Sequence, residues 1–410
     1  MAILKPFKAV RPTRDKANLV VSRSYHIYSK EGLEFRLKNN PYSFLQILNP
    51  GYKYDQEING KKEFNLVRNR YLEFKDEGFF TQDNTPNFYL YKMITREHTF
   101  IGIVGATAVE DYEKNVIKIH ENTLEKREQL FKEYIDTVGF NTEPVLLTYP
   151  RNNILDELFL DIMKERPEYE FSTTDRIAHH VWLINNEDIL NTIQNEFTKI
   201  DSLYIADGHH RCASSALLAQ DYKQNGQFVQ GISQNYFMSF LIPEEDLKIY
   251  EFFRLVKDLN GLSKKEFLIA LDEVFTIENC GLQPQNLKQL HHFNMYLDGE
   301  FYQLHLRSRY QEFNNTLDTL DAQILYNLVL QPILGITDLR NDKRIDYLPG
   351  NKTIVELKNQ VDNGDFKVAF GMLPIDVNQM KRIADEGLQM PPKSTYIEPK
   401  LRSGLTIYEF

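Results

Sequence analysis

The run Tyr204-Ile205-Ala206-Asp207-Gly208-His209-His210-Arg211 constrains the fold of this chain more than any other stretch. An apolar segment ends in an acid and a glycine. Two imidazoles and a guanidinium then open the small-residue run Cys212-Ala213-Ser214-Ser215-Ala216. That order predicts a strand, a sharp turn and a helix that opens on small residues. Gly208 lets the backbone turn sharply and approach a ligand. The first free N–H groups of the helix carry a partial positive charge that suits an anion. Arg211 can grip phosphate oxygens with two bonds, and His209 and His210 can add donors. Asp207 would repel a phosphate unless it acts as a base or holds a metal ion, so it is assigned a catalytic role or an Mg²⁺. The bland alternative is an ordinary strand–turn–helix with a buried His and a surface Arg. The Asp, the apolar strand and the small-residue helix together favour function.

A chain of 410 residues predicts two or three domains, or one large elaborated one. A net charge of −10 argues against a broad nucleic-acid footprint, which needs a basic face. No long apolar core follows Met1–Phe7, and no apolar run approaches the roughly 18 residues of a membrane helix. Cys212 and Cys280 are too few and too scattered for a disulfide framework or a structural zinc site. These features together predict a cytoplasmic protein that binds no membrane. They leave its oligomeric state open.

The elements alternate in type. Phe88–Ile94 and 99–109 read as a hairpin, 123–138 as a helix and Val145–Tyr149 as a strand. Strand 180–184, helix 188–197, strand 203–206, the small-residue helix and strand 237–242 form a compact α/β unit. Ser263-Lys264-Lys265-Glu266 is a capping box. Asp298-Gly299 joins strands 294–297 and 300–306, and 318–334 reads as an apolar helix. The fold class is α+β (mixed α/β). Three regions are expected: 1–150, a core at 151–250, and 251–410 with a closing tail.

Two further constellations carry polar groups without core periodicity. His120-Glu121-Asn122-Thr123 fails as a zinc-protease motif, because the residue four after His120 is Leu124. Thr123 is expected to cap the following helix, and His120 and Glu121 are candidate catalytic residues. The tail offers Lys393 and Lys400 as point charges and Ser394 and Thr395 as donors, a second anion clamp. A closing loop tied down by its aromatics explains the tail equally well. If the distant motifs converge, the lysines balance phosphate charge and Glu121 binds Mg²⁺ or activates a hydroxyl.

With these motifs in fixed order, and the opening Lys5-Pro6-Phe7-Lys8-Ala9-Val10-Arg11-Pro12, the chain resembles the bacterial and archaeal family known as domain of unknown function 1015. The resemblance runs over essentially the whole chain and brings little chemistry. Where relatives tend to have Pro-Tyr-Asp this chain has Ser24-Tyr25-His26. Where they tend to have His-Arg it has Phe253-Arg254. A narrower resemblance, over about 175–245, is to the core shared by ParB, sulfiredoxin and the free-serine kinases. It implies that the Gly208–Arg211 turn holds nucleotide phosphates and that Asp207 acts in catalysis. Sulfiredoxin needs a Cys directly after the glycine, and this chain has His209 there.

The expectation is a phosphotransferase that uses ATP or ADP with Mg²⁺ and acts on a small hydroxyl-bearing metabolite, such as an amino acid like serine. The alternatives are a non-catalytic nucleotide-binding regulator and a nucleotide hydrolase gating a protein partner.

Overall fold

The computed structural model describes residues 1–24, 27–54, 59–227, 229 and 231–410. Of the family departures named above, Tyr25 and His26 lie outside the described residues. The chain divides into two compact units. The first comprises Met1–Lys118, Thr123–Leu247 and Pro399–Phe410, and the second Ile119–Asn122 and Lys248–Glu398. The architecture is mixed α/β, as the alternation of periods requires.

The first unit is built on a nine-stranded mixed sheet. Its strands are β1 (Leu4–Lys5), β2 (Phe88–Ile94), β3 (Thr99–Ala108), β4 (Ile117–Lys118), β5 (Val145–Tyr149), β6 (Tyr169–Ser172), β7 (Ala178–Ile184), β8 (Leu203–Asp207) and β9 (Tyr236–Pro243). Their order is β4-β8-β5-β9-β3-β2-β7-β6, with β1 also on β3. β2 and β3 pair antiparallel as the expected hairpin. β5 runs parallel to β9 and antiparallel to β8, which brings the start of β5 beside the end of β8. All residues of β5 are buried, so it reads as an unbroken apolar run rather than an alternating one.

Helices α1 (Lys61–Asp76), α2 (Glu125–Val138), α3 (Asn153–Ile162), α4 (Glu187–Thr198) and α5 (His209–Gln224) belong to the same unit. Phe64, Val67, Tyr71 and Phe74 of α1 recur at helical spacing and are buried with Phe44, Phe80, Phe140 and Ile407. Each such Phe contributes about 1.5–3 kcal/mol relative to an exposed one. α5 buries Cys212, Ala213, Ser214, Ser215, Leu218 and Ala219. Small side chains on that face let α2 lie close against it, and Lys132 of α2 pairs with Asp221 of α5 at 2.5 Å.

Thr123 does not cap α2. The cap position is Leu124, whose side chain has no oxygen to offer, and the Thr123 hydroxyl bonds Glu128 in the first turn instead.

The second unit holds a six-stranded antiparallel sheet of β10 (Phe252–Val256), β11 (Phe275–Gly281), β12 (His292–Leu297), β13 (Glu300–Leu306), β14 (Ile345–Pro349) and β15 (Val368–Gly371). The order is β11-β13-β12-β15-β10-β14. Asp298 (φ 52°) and Gly299 (φ 85°) form the tight turn, and Leu297 pairs with Glu300 as expected. α6 (Lys264–Asp272) begins with the Ser263–Glu266 capping box. The expected helix over 318–334 is helical but irregular. An α segment, Asp321–Leu325, widens into a π turn over Tyr326–Leu330, a change that apolar spacing does not reveal.

Candidate functional site

The strand β8 delivers Asp207 through a β-bulge. Ile205 opposes Leu147 and Asp207 opposes Leu146, so Ala206 is the extra residue. A bulge bends the strand end and re-aims the side chain that follows. Gly208 then takes φ 103°, and α5 starts at His209. A Cβ on Gly208 would lie 2.8 Å from Nε and 2.9 Å from Nη2 of Arg211. The missing side chain is therefore what lets Arg211 fold back over the turn. It does so to donate from Nη2 to Asp207 Oδ2 at 2.7 Å, and from Nη1 to Glu143 Oε2 at 3.3 Å.

The tail completes the cluster. Lys400 Nζ donates to Asp207 Oδ1 at 2.9 Å, so both oxygens of that carboxylate carry a cation. Ser403 Oγ donates to Glu143 Oε1 at 2.7 Å, and the Gly404 N–H donates to Thr142 Oγ1 at 3.0 Å. Gly404 has φ 81°, and a Cβ there would fall 2.6 Å from the Phe44 ring. Burial works to raise the Asp207 pKa, but the charges of Lys400 and Arg211 outweigh it and hold the group down to about 2. Asp207 is a carboxylate at neutral pH. His209 is driven the other way by burial, down to about 4 despite Asp207, and is neutral there. It can donate or accept but carries no charge, so the cations of the cluster are Arg211 and Lys400. His210, one position on, faces Phe131 of α2 with ring centroids 6.4 Å apart.

Arg211 and Glu143 also line a cavity of about 580 Å³. Ser24, Asn141, Thr142, Ser214 and Ser215 supply further polar wall. Phe64, Phe131, Tyr134, Phe140 and Phe237 make much of the rest apolar and aromatic. A concave, largely apolar space with a few convergent polar groups is the usual form of a small-molecule site. Among the described residues no three His, Cys, Asp or Glu side chains gather as a metal site. Mg²⁺ is commonly held by only one or two carboxylates plus substrate phosphates. Asp207 and Glu143, which share the Arg211 guanidinium, fit that pattern.

The other candidates belong to the second unit. There the buried His120 accepts the Met390 N–H on its carbonyl at 2.9 Å, and Glu121 forms a parallel bridge with Met390. The His120-Glu121 backbone thus pairs with Met390, just ahead of the stretch that carries Lys393. Lys393 has φ 57°, places its ammonium 5.2 Å over the Phe252 ring, and gives its carbonyl to Arg254 at 3.2 Å. Ser394 is buried and its hydroxyl donates to the Pro391 carbonyl at 2.7 Å, which closes the turn. Thr395 is half-buried beside it. Arg254 itself is buried, and burial lowers its pKa to about 10.

The sequence assigns no role to Glu143, Asp175, Arg402 or Ser403, although the last two fall in the irregular tail. A lone Glu ahead of an apolar strand carries no motif, and only the antiparallel pairing of β5 with β8 brings it to Asp207. Cys212 is fully buried one turn into α5, and burial raises its pKa well above the ordinary thiol value, which leaves it unreactive. Among the described residues no helix is long and apolar enough to cross a membrane.

Comparison with known proteins places the chain in a family. It belongs to the family described as "Protein of unknown function (DUF1015)", whose model matches residues 4–323. No curated protein matches it in sequence. Among solved structures, a variant of a free serine kinase in complex with AMP is similar over 75% of this chain and 92% of its own, at 12% identity and a TM-score of 0.37. SbnI with a C-terminal truncation, from Staphylococcus aureus, is similar over 74% and 87%, at 12% identity and a TM-score of 0.39. A conserved hypothetical protein from Pyrococcus furiosus is similar over 74% and 95%, at 12% identity and a TM-score of 0.34.

Proposed function

We propose that the first unit binds a nucleotide by its phosphates at Arg211 and Lys400 and transfers a phosphoryl group to a small hydroxyl-bearing metabolite. The observation that carries this reading is Arg211. It stands in the first turn of a helix, is folded back by Gly208 onto Asp207 and Glu143, and faces a cavity of ligand size. Carboxylates hold the two cations where phosphate oxygens would later be gripped. An incoming phosphate draws Arg211 and Lys400 off Asp207 and meets the positive end of the α5 dipole.

Asp207, once released, faces the acceptor or an Mg²⁺. Once Arg211 and Lys400 have turned to the phosphate, the charges that hold its pKa down are gone and burial raises its basicity. Asp207 can then orient the acceptor hydroxyl and accept its proton, and with Glu143 would hold an Mg²⁺. Phosphoryl transfer asks for little more than positioning and charge neutralisation. As the acceptor oxygen bonds the terminal phosphorus, the bond from that phosphorus to the bridging oxygen breaks, releasing a nucleoside diphosphate from ATP or a monophosphate from ADP. The hydroxyl proton passes to Asp207 or to water. The apolar wall of the cavity suits the flat, weakly polar parts of a ligand, with a nucleotide base as the first candidate.

The test is a thermal-shift series with AMP, ADP and ATP, each with and without Mg²⁺. A ligand at about 100 times its Kd stabilises the fold by roughly 2.7 kcal/mol. Phosphorus NMR of ATP mixed with hydroxyl-bearing metabolites then reads transfer. A shift without transfer supports a binding regulator, and phosphate release without an acceptor supports a hydrolase. No shift with any nucleotide contradicts the reading.

A further inference from the structure

The tail reaches the first unit's cluster at Lys400, yet its most buried charge lies two residues on. The Arg402 side chain is only 4% exposed. Its Nη2 donates to both oxygens of Asp175, at 2.8 and 2.7 Å, and to Thr173 Oγ1 at 3.2 Å. The acceptors sit in the turn between β6 and β7, at the edge of the sheet. That turn is itself fixed from inside. Thr173 Oγ1 donates to Asp175 at 2.5 Å and lies 3.2 Å from His179 Nε2, and His179 Nδ1 is 2.7 Å from the hydroxyl of buried Tyr91. Arg23 Nε is a second cation on Asp175, at 3.5 Å. A guanidinium is removed from water here for a purpose that the cluster around Asp207 does not itself use.

The spacing supplies the purpose. Lys400, Arg402 and Ser403 reach three separate carboxylates, those of Asp207, Asp175 and Glu143. Lys400 is the most mobile of the three by chemistry, a point charge on a flexible stem with its side chain 35% exposed. Arg402 is buried and held through Nη2 to a partly exposed Asp175, and an ion pair of this kind can fix register even where it adds little stability. We infer that Arg402 and Asp175 are positioning residues, whose ion pair pins the tail so that the Lys400 ammonium is delivered to Asp207. Gly404 supports the same seat, since any Cβ there would strike Phe44. The role of Lys400 in holding phosphate rests on the function proposed above. The pinning of Lys400 does not.

Two readouts separate these claims. The first is the acetylation rate of Lys400, followed by mass spectrometry on the full chain. The second is ADP affinity by calorimetry, both taken well below the unfolding temperature of each variant. For Asp175→Asn the acetylation rate is expected to rise about tenfold, equivalent to about 1.4 kcal/mol. ADP affinity is expected to fall by a similar factor. Arg402→Lys, which keeps one charged contact, should return both values most of the way to wild type, whereas Arg402→Met should not. If Arg402→Met does not fold, the Asp175→Asn and Arg402→Lys pair decides alone. Unchanged Lys400 reactivity in folded Asp175→Asn overturns the inference even where ADP binds normally. Raised Lys400 reactivity in a protein that binds none of AMP, ADP or ATP upholds the pinning and removes the nucleotide reading.

Discussion

Gly208 and Asp207 show how much one residue can decide. Gly208 stands at φ 103° with the Arg211 guanidinium where a Cβ would go. Gly208→Ala therefore meets backbone strain and a clash together. A destabilisation of about 1–3 kcal/mol is expected, with weaker nucleotide binding, checked by denaturant unfolding and titration. A stable variant with wild-type affinity would show that Arg211 does not need its folded-back position. Asp207→Asn keeps the shape but removes the charge. It should abolish transfer while ADP affinity stays within about tenfold, or 1.4 kcal/mol. Undiminished transfer would remove Asp207 from the chemistry. Both residues were legible in the sequence, because a strand, an Asp, a Gly and a basic helix start form a local pattern. Glu143 and Asp175 were not, since each reaches its partner only through strand pairing or a turn far along the chain.

Among the elements, α5 depends most on side-chain size. Beyond His209 in its first turn, its buried residues are Cys212, Ala213, Ser214, Ser215, Leu218 and Ala219, of which only Leu218 is large. Ala213→Leu should overpack this face and destabilise the unit by about 1–3 kcal/mol, read by urea unfolding. A neutral result would mean that α5 is not tightly seated. The small-residue run marks the helix in the sequence, but its packing against α2 depends on the fold. The Asp298-Gly299 hairpin and the Ser263 capping box were equally plain, because turn and cap chemistry act over two to four residues. The π turn at Tyr326–Leu330 was hidden, since the apolar residues around it keep a helical spacing. The Thr123 cap failed for a related reason. A hydroxyl next to a helix start is common, and here it bonds Glu128 while Leu124 takes the cap position.

At the scale of the whole molecule, the chain's two units are not contiguous in sequence, and Pro399–Phe410 belongs to the first. No flexible linker marks a border in the sequence, and the return of 399–410 to the first unit carries no local signal. The tail was visible as an irregular run of prolines, lysines and hydroxyls. Its partners were not, because a closing loop and an anion clamp look alike before the fold places them.

Two buried histidines give the protein a pH signature. Burial lowers His179 to about 3 and His209 to about 4, both below the ordinary 6.5. The unfolded chain binds more protons below pH 6.5, so their contribution is fully present above that value. It declines as pH falls toward 4, by about 1.4 kcal/mol per pH unit for each group. Asp175 and Asp207, each held at about 2 against burial by their cations, lose their contribution only below the ordinary carboxylate pKa. Unfolding temperatures measured from pH 8 to pH 4 should be level at first and then drop steeply below about pH 6.5. A flat profile down to pH 4 would mean that neither histidine is held neutral.

The central claim is that Arg211 is the phosphate grip of a nucleotide site. Calorimetric titration of ADP with Mg²⁺ into the wild-type chain and into Arg211→Met tests it most directly. The wild type should bind one equivalent saturably. The variant, still folded, should lose at least tenfold, or about 1.4 kcal/mol, as expected for a charged hydrogen bond to phosphate. Equal affinity in the two proteins, or no binding by either, would contradict the account.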